Sequence, residues 1–524
     1  MTVYLCGDLG HRAGGLDLAA LAGWLTERHP QTEVRVTPGP CDRPERWLDR
    51  EGTRADRLLL GLCAADRDRA ELHARARRLG FDPLAIEVVD LGAPCALTPA
   101  RAEATRKARA LFAAALARSR AYRASGPENA RPVFTWDQPV SRRSLFTLPP
   151  IRWEVVPSIR DEACAVGRGC RACATLCPHG ALRAEGGRMV LSKTQCTGCG
   201  ACVSTCPVAA IDLPGASLAQ IEAQLDALLG SDAANGSRPG ILFLCHRGAP
   251  ALRRLPRPGA AHPIDWLPVE LPCLAMVTPA WILQSLQLGA AAVGMLACRR
   301  EECRFGQRET VEGRAGYCQA TLAALDLSPD AVWVADVTDE RGLAEALSRP
   351  VPSVPLPVGG GRAGVDLRVD HGATANALLG LARQHGRTPA RALDHAQSPL
   401  GVVTLSPGCT VCGACASACP TAALALDQAD AAVTLSFDGT RCTGCGGCVP
   451  VCPESVVHVD RHTDLAVLSR GQSVLRRDHV ARCEKCGGAV ATRALLDRFA
   501  SILGRDPVMS TITRYCEACR GSLS

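Results

Sequence analysis

Short apolar runs that stop at a cysteine recur along this chain. Val3-Tyr4-Leu5 leads into Cys6 and Leu58-Leu59-Leu60-Gly61-Leu62 into Cys63, while Val34-Arg35-Val36 precedes Cys41 and residues 86–91 precede Cys95. Further on, Ile241-Leu242-Phe243-Leu244 leads into Cys245, residues 267–271 into Cys273 and residues 291–297 into Cys298. Runs of this length and composition predict strands buried on both faces. Helix punctuation lies between them. Ser217 and Gln220 form a capping box closed by Gly230, Thr278-Pro279 opens a helix that Gly289 ends, and an Ala/Arg-rich helix starts at Thr98-Pro99 and runs to about Tyr122. Alternating strands and helices predict parallel sheets, whose ligands gather at the carboxyl edge, where these cysteines emerge.

The cysteines themselves change the picture. The chain has 29 of them in 524 residues, and 28 fall into seven groups of four. Two stretches carry doubled C-x2-C-x2-C-x3-C-P signatures: Cys164, Cys170, Cys173, Cys177-Pro178 with Cys196, Cys199, Cys202, Cys206-Pro207, and Cys409, Cys412, Cys415, Cys419-Pro420 with Cys442, Cys445, Cys448, Cys452-Pro453. In such a run three thiolates hold one iron–sulfur cube and the fourth crosses to its neighbour. The expected 4Fe–4S sets are therefore Cys409/Cys412/Cys415/Cys452, Cys442/Cys445/Cys448/Cys419, Cys164/Cys170/Cys173/Cys206 and Cys196/Cys199/Cys202/Cys177. Zinc knuckles would leave the proline and the doubling unexplained. The first run departs from the rule, with five residues between Cys164 and Cys170, and the longer loop places Arg168 near that cluster.

Three groups are less explicit. Cys6, Cys41, Cys63 and Cys95, and likewise Cys245, Cys273, Cys298 and Cys303, fit iron–sulfur sites or buried structural thiols on their residues alone. Cys483-x2-Cys486 and Cys516-x2-Cys519 flank a helix of about Arg493 to Leu503, closed by Gly504. Paired knuckles point to tetrahedral zinc, with a rubredoxin-like iron as the alternative. Cys318 is left over as a buried thiol.

The formal charge of +7 does not argue for nucleic acid. Ligation deprotonates thiols counted as neutral, and seven four-cysteine sites at about −2 each bring the holoprotein to about −7. No N-terminal segment resembles a signal peptide, and Ser141-Arg142-Arg143-Ser144-Leu145-Phe146, faintly like a twin-arginine motif, is internal. The longest apolar run, Trp281 to Ala297, is too short to span a bilayer and contains two glutamines and two glycines. A soluble, cytoplasmic protein is expected, in which cysteines are metal ligands and not disulfides. Gly359-Gly360-Gly361-Arg362-Ala363-Gly364 has dinucleotide-fingerprint spacing but follows a proline-rich linker and not a strand, so no flavin is expected.

Resemblances sharpen these readings. Leu271-Pro272-Cys273, the stretch Trp281 to Gly294 and Cys298-x4-Cys303-Arg304-Phe305-Gly306 resemble the delta iron–sulfur subunit of methyl-viologen-reducing hydrogenase. That resemblance implies one 2Fe–2S cluster on Cys245, Cys273, Cys298 and Cys303, and a module that joins a hydrogenase or formate dehydrogenase to heterodisulfide reductase. The family's usual His-Pro-Gly-Asp is Arg299-Arg300-Glu301-Glu302 here. Leu59 to Cys63, Pro94-Cys95 and Ala104-Thr105-Arg106-Lys107-Ala108-Arg109 resemble the N-terminal domain of the large FAD-carrying component of heterodisulfide reductase, implying a 4Fe–4S cluster on Cys6, Cys41, Cys63 and Cys95. The widened first ferredoxin loop, with the preceding Arg-Arg-Ser-Leu-Phe, resembles cytoplasmic ferredoxins of periplasmic nitrate reductase maturation.

The expected architecture is multidomain α/β plus α+β: two small parallel-sheet domains, two dicluster ferredoxin modules and a C-terminal zinc-ribbon-like domain. Its units are 1–123 (heterodisulfide-reductase-like), 124–160 (linker), 161–214 (ferredoxin), 215–350 (delta-subunit-like), 351–400 (linker), 401–462 (ferredoxin) and 463–524 (zinc-binding). The expected function is single-electron transfer from or to the catalytic subunit of a formate dehydrogenase or hydrogenase. The other carrier would be a second ferredoxin or a quinone-linked protein. The alternatives are a maturation factor for a molybdoenzyme and a reductase subunit of a heterodisulfide-reductase-like complex. No nucleophile or substrate site of its own is legible. Five 4Fe–4S clusters, one 2Fe–2S cluster and one zinc amount to about 22 irons and about one zinc per chain. Metal analysis of anaerobically purified protein checks this, and a count near 16 irons would remove both strand-edge centres.

Overall fold

The computed structural model describes residues 1–9, 15–38, 41, 47–49, 56–63, 69–96, 98, 101–124, 129–134, 151–230, 238–255, 262–350, 371–387, 392–429, 431–504 and 507–521. The chain is mixed α/β, with parallel-sheet and ferredoxin domains. In the first sheet Thr2–Cys6 lies between Glu33–Thr37 and Leu58–Leu62, with Ile86–Asp90 beyond, all parallel. The second sheet repeats the order. Pro239–Leu244 lies between Asp265–Glu270 and Val293–Ala297, and Val332–Asp336 forms an edge strand that the apolar pattern did not predict. In both sheets the first strand has neighbours on either side, which creates a switch point at the carboxyl edge. Cys6 and Cys63 follow the strands at one switch point, and Cys245 and Cys298 at the other.

The helix expected after Thr98 is Arg101–Ala121, rich in buried alanine, and it packs on Leu218–Leu228, the helix capped by Ser217 and Gln220. This contact joins the two sheet domains, and charged groups reinforce it. Lys107 is 3% exposed and pairs with Asp265 of the second sheet at 2.7 Å. Arg118 pairs with Glu87 at 3.0 Å and donates to the Gly215 carbonyl at 2.6 Å. Arg253 pairs with Asp90 at 3.0 Å.

The first ferredoxin module consists of a hairpin (Leu182–Glu185 with Arg188–Leu191), a short strand pair (Ser158–Ile159 with Ile211–Asp212) and two cysteine-bearing helices, Ala172–Leu176 and Ala201–Thr205. The segment expected as linker 124–160 contains a hairpin of Ala130–Phe134 with Ile151–Val155. The Ser141–Phe146 motif lies outside the described residues. The segment expected as linker 351–400 is also structured in part. Ala373–Gln384 is a helix whose Ala377, Leu378 and Leu381 are buried, and it packs on Pro279–Gln287. The Gly359–Gly364 fingerprint lies outside the described residues.

The C-terminal segment is not a detached unit. Gln472–Arg482 pairs antiparallel with Ala432–Asp438 of the second ferredoxin, giving one four-stranded sheet from Leu424–Gln428 to Ala489–Thr492. The boundary expected at 462 therefore falls inside a continuous fold, because the ferredoxin hairpin leaves an edge that the next strand covers. The second ferredoxin docks on the helix Arg308–Ala324, where the Tyr317 hydroxyl meets Thr463 Oγ1 at 2.8 Å. Among the described residues no helix is long and apolar enough to cross a membrane.

Lys107→Ala leaves Asp265 poorly paired in a buried interface and is expected to destabilise the protein by about 3–5 kcal/mol. Lys107→Met with Asp265→Leu should recover most of the loss. Thermal denaturation of the anaerobic protein, followed by circular dichroism, reads both.

Candidate metal centres

The ferredoxin loops are shaped by residues in the left-handed region. Three positions after each crossing cysteine the chain takes a positive φ: Gly180 (58°), Ala209 (48°), Ala422 (53°) and Ser455 (54°). Three of these are not glycine and carry local strain. In the first module this turn aims the next N–H at sulfur. Ala181 N donates to Cys177 Sγ at 3.4 Å and Ala210 N to Cys206 Sγ at 3.2 Å. Two residues after the first cysteine of a run the same device recurs, at Gly198 (72°), Gly444 (62°) and Val411 (53°), and Gly198 N donates to Cys196 Sγ at 3.4 Å. Such donors favour the thiolate and tune the metal it binds.

The fold brings the crossing cysteines to the runs the spacing indicates. Burial pushes Cys173 up to about 12, and the thiols that add to it are Cys206, Cys170 and Cys164. Burial also raises Cys202, helped by Cys199, Cys196, Cys173 and Cys177. In the second module Cys415 is pushed up to about 11 by burial, then by Cys409, Cys412 and Cys452. A cavity there is lined by Cys419, Cys442, Cys445 and Cys448, so four thiols face one space as a cube requires. The widened loop of the first module closes as a single 3-10 turn, Ala165–Arg168, ended by left-handed Gly169, with Arg168 exposed.

At the sheet edges the fit is partial. The Sγ atoms of Cys6, Cys41 and Cys63 lie within 4.8 Å of one another, and Cys63 N donates to Cys41 Sγ at 3.0 Å. The Cys41 thiol lowers Cys6 against the cost of burial. Cys95 stays outside the close set. It follows its strand on the short helix Gly92–Ala96, its sulfur approaches the Ala104 carbonyl at 3.6 Å, and burial pushes it up to about 12 while Lys107 pulls it down.

In the second sheet Cys245 and Cys298 have sulfurs 3.4 Å apart, and the Cys298 thiol lowers Cys245. The third group within 4.8 Å is His246, which the sequence does not single out, since a histidine next to a cysteine has no ligand spacing of its own. Cys273 and Cys303 instead pack together around Phe305 and Ala275. At the C-terminus the sulfurs of Cys483, Cys486, Cys516 and Cys519 all lie within 4.8 Å of one another, which suits a tetrahedral ion. Backbone N–H groups, that of Cys516 foremost, hold Cys483 down to about 6. Cys318 is fully buried, with its sulfur 4.0 Å from the Pro279 carbonyl oxygen.

Neighbouring centres meet through close contacts. Cys273 and Cys303 share an apolar cluster with Cys199 and Ala201 of the first ferredoxin. Gly200, at φ 75°, lies so close that a Cβ there would stand 2.5 Å from Met276 Sδ. Ser204 Oγ donates to the Ala275 carbonyl at 2.9 Å. Cys445 of the second ferredoxin is among the charges that raise Cys170 of the first, after burial.

With this geometry in place, residues 241–348 match the family model of methyl-viologen-reducing hydrogenase, delta subunit. Residues 408–456 match the 4Fe-4S dicluster domain, and residues 189–212 match the 4Fe-4S binding domain. No curated protein matches the chain. The class is a fused iron–sulfur electron-transfer protein, with 4Fe–4S ferredoxin domains and a hydrogenase-related delta-subunit domain in one chain.

Gly200→Val sets a branched side chain at a positive φ against Met276 and is expected to cost about 1–3 kcal/mol by overpacking alone. Calorimetry of the iron-loaded protein measures it. An unchanged unfolding temperature would show that the two modules do not meet there.

Proposed function

We propose that this chain conducts single electrons between a formate dehydrogenase, or alternatively a hydrogenase, and a second carrier. It would do so through five 4Fe–4S clusters and one 2Fe–2S cluster, with one structural zinc. In this reading Cys6, Cys41, Cys63 and Cys95 hold the N-terminal 4Fe–4S cluster. The four ferredoxin sets hold theirs as the spacing pairs them, and Cys245, Cys273, Cys298 and Cys303 hold the 2Fe–2S cluster. Cys483, Cys486, Cys516 and Cys519 hold zinc in a domain that shares the sheet of the second ferredoxin. Iron–sulfur centres supply one-electron redox chemistry, and the protein sets their potentials by charge, exposure and hydrogen bonds to sulfur.

The observation that carries this reading is the continuity of thiols across module boundaries. Cys273 packs with Cys199. Cys173 is among the charges acting on Cys202, Cys445 among those acting on Cys170, and Cys415 among those acting on Cys448. Placed in that order, the delta-subunit-like centre adjoins the first ferredoxin, which adjoins the second. The two sheet domains share one helix interface, so the N-terminal centre is held beside the same assembly.

Anaerobic affinity purification from cells tests the proposal. A molybdenum- or tungsten-containing subunit should co-purify in active form, and formate should bleach the iron–sulfur absorbance of the complex. Nickel with hydrogen-dependent bleaching would move the partner to a hydrogenase. Capture of nothing but an inactive, cofactor-free enzyme would sink the conduit and favour a maturation factor.

A further inference from the structure

Arg314 is a buried cation with no carboxylate beside it. It is 8% exposed, in the middle of the helix Arg308–Ala324. Its Nη1 donates to the carbonyls of Ala275 at 2.5 Å and Val277 at 2.8 Å, and to Ser204 Oγ at 3.2 Å. All three acceptors are neutral, and no ion pair to Arg314 occurs among the described residues. Burial lowers this guanidinium to about 10, and the two groups that oppose the lowering are the thiols of Cys273 and Cys318.

An uncompensated charge is costly in such a place, so its retention calls for an anion nearby. Cys318 is a lone thiol with a weak carbonyl contact. Cys273 is different. The Ala275 N–H points to its sulfur at 3.5 Å while the Ala275 carbonyl accepts from Arg314. Ser204, the third acceptor, sits on the helix between Cys202 and Cys206 of the first ferredoxin. One guanidinium thus ties the loop after Cys273 to the cysteine helix of the neighbouring module.

We infer that Arg314 is a positioning residue that supplies the counter-charge for the centre held through Cys273 and fixes that centre against the first ferredoxin. This rests on the reading that Cys273 ligates a cluster. With both groups bound, the cluster of Cys177, Cys196, Cys199 and Cys202 as donor would be oxidised by one electron and the centre at Cys273 as acceptor would be reduced by one. No bond or proton is exchanged. The added negative charge is stabilised by the fixed cation, so Arg314 raises the potential of the acceptor. It does so while its three hydrogen bonds hold donor and acceptor loops together.

Redox titration of the anaerobic full-length protein, monitored by electron paramagnetic resonance, tests this with Arg314→Gln and Arg314→Lys. The Gln variant should keep its iron and lose about tenfold in the reduction equilibrium of one centre, a fall of about 59 mV for a one-electron couple. The Lys variant should keep all potentials within about threefold of the parent, which is about 30 mV. A Gln variant with full iron and unchanged potentials overturns the inference. Where the Gln variant loses iron, the Lys variant decides. Retention of iron and potentials supports the charge role, and the same loss of iron assigns Arg314 to packing alone and overturns it. Failure of the underlying reading looks different: Cys273→Ala would then leave the parent's iron content and every signal intact.

Discussion

A thiol carried into an apolar interior keeps its proton, yet only the thiolate binds iron or zinc. The rest of this structure depends on how that conflict is resolved. In the ferredoxin modules backbone N–H groups are turned onto sulfur at left-handed residues, among them the strained Ala209 and Val411. In the other three sets a neighbouring group lowers one cysteine: the Cys41 thiol for Cys6, the Cys298 thiol for Cys245 and the Cys516 backbone for Cys483. In each set one thiol thus has its proton held less tightly than burial alone would leave it, and metal binding displaces the protons of the ligating thiols.

The same strand order in the two parallel sheets explains why their cysteines come together at all. A central strand with neighbours on both sides leaves its carboxyl end and that of the third strand flanking one crevice. Cys6 with Cys63, and Cys245 with Cys298, occupy that position in their respective sheets. The sheets are then locked by ion pairs and by the contact of the helices Arg101–Ala121 and Leu218–Leu228. The first helix is rich in buried alanine and the second buries Ile221, Leu225 and Leu228, and the modules behave as a built assembly and not as beads on a string.

Much of this could be read from residues. Strand ends, the Ser217 capping box and the nearness of Cys177, Cys206, Cys419 and Cys452 to the neighbouring runs all follow from local spacing. What escaped has a common cause. Val332–Asp336 is apolar along most of its length but ends in no cysteine, so the pattern of strands that stop at a cysteine passes over it. Ala373–Gln384 was hidden by the prolines before it, and its apolar face has meaning only against the helix Pro279–Gln287. Gln472–Arg482 alternates as any exposed strand does, and nothing local says which hairpin it completes. Cys95 reads like the other strand-end cysteines until the short helix after its strand turns it towards Ala104. His246, Gly200 and Arg314 matter only through partners far along the chain, which no local pattern encodes.

The strand Gln472–Arg482 has a consequence for biosynthesis. It follows every ferredoxin cysteine in the chain, yet it covers the hairpin edge behind the second dicluster module and delivers Cys483. While the ribosome is still short of residue 482, Ala432–Asp438 presents an unpaired edge next to eight thiols. A nascent chain paused there would carry an open strand edge and unligated thiols side by side. Iron delivery to this module is therefore best timed after the last strand has closed, and translation and metal loading have reason to be coordinated at that point in the chain.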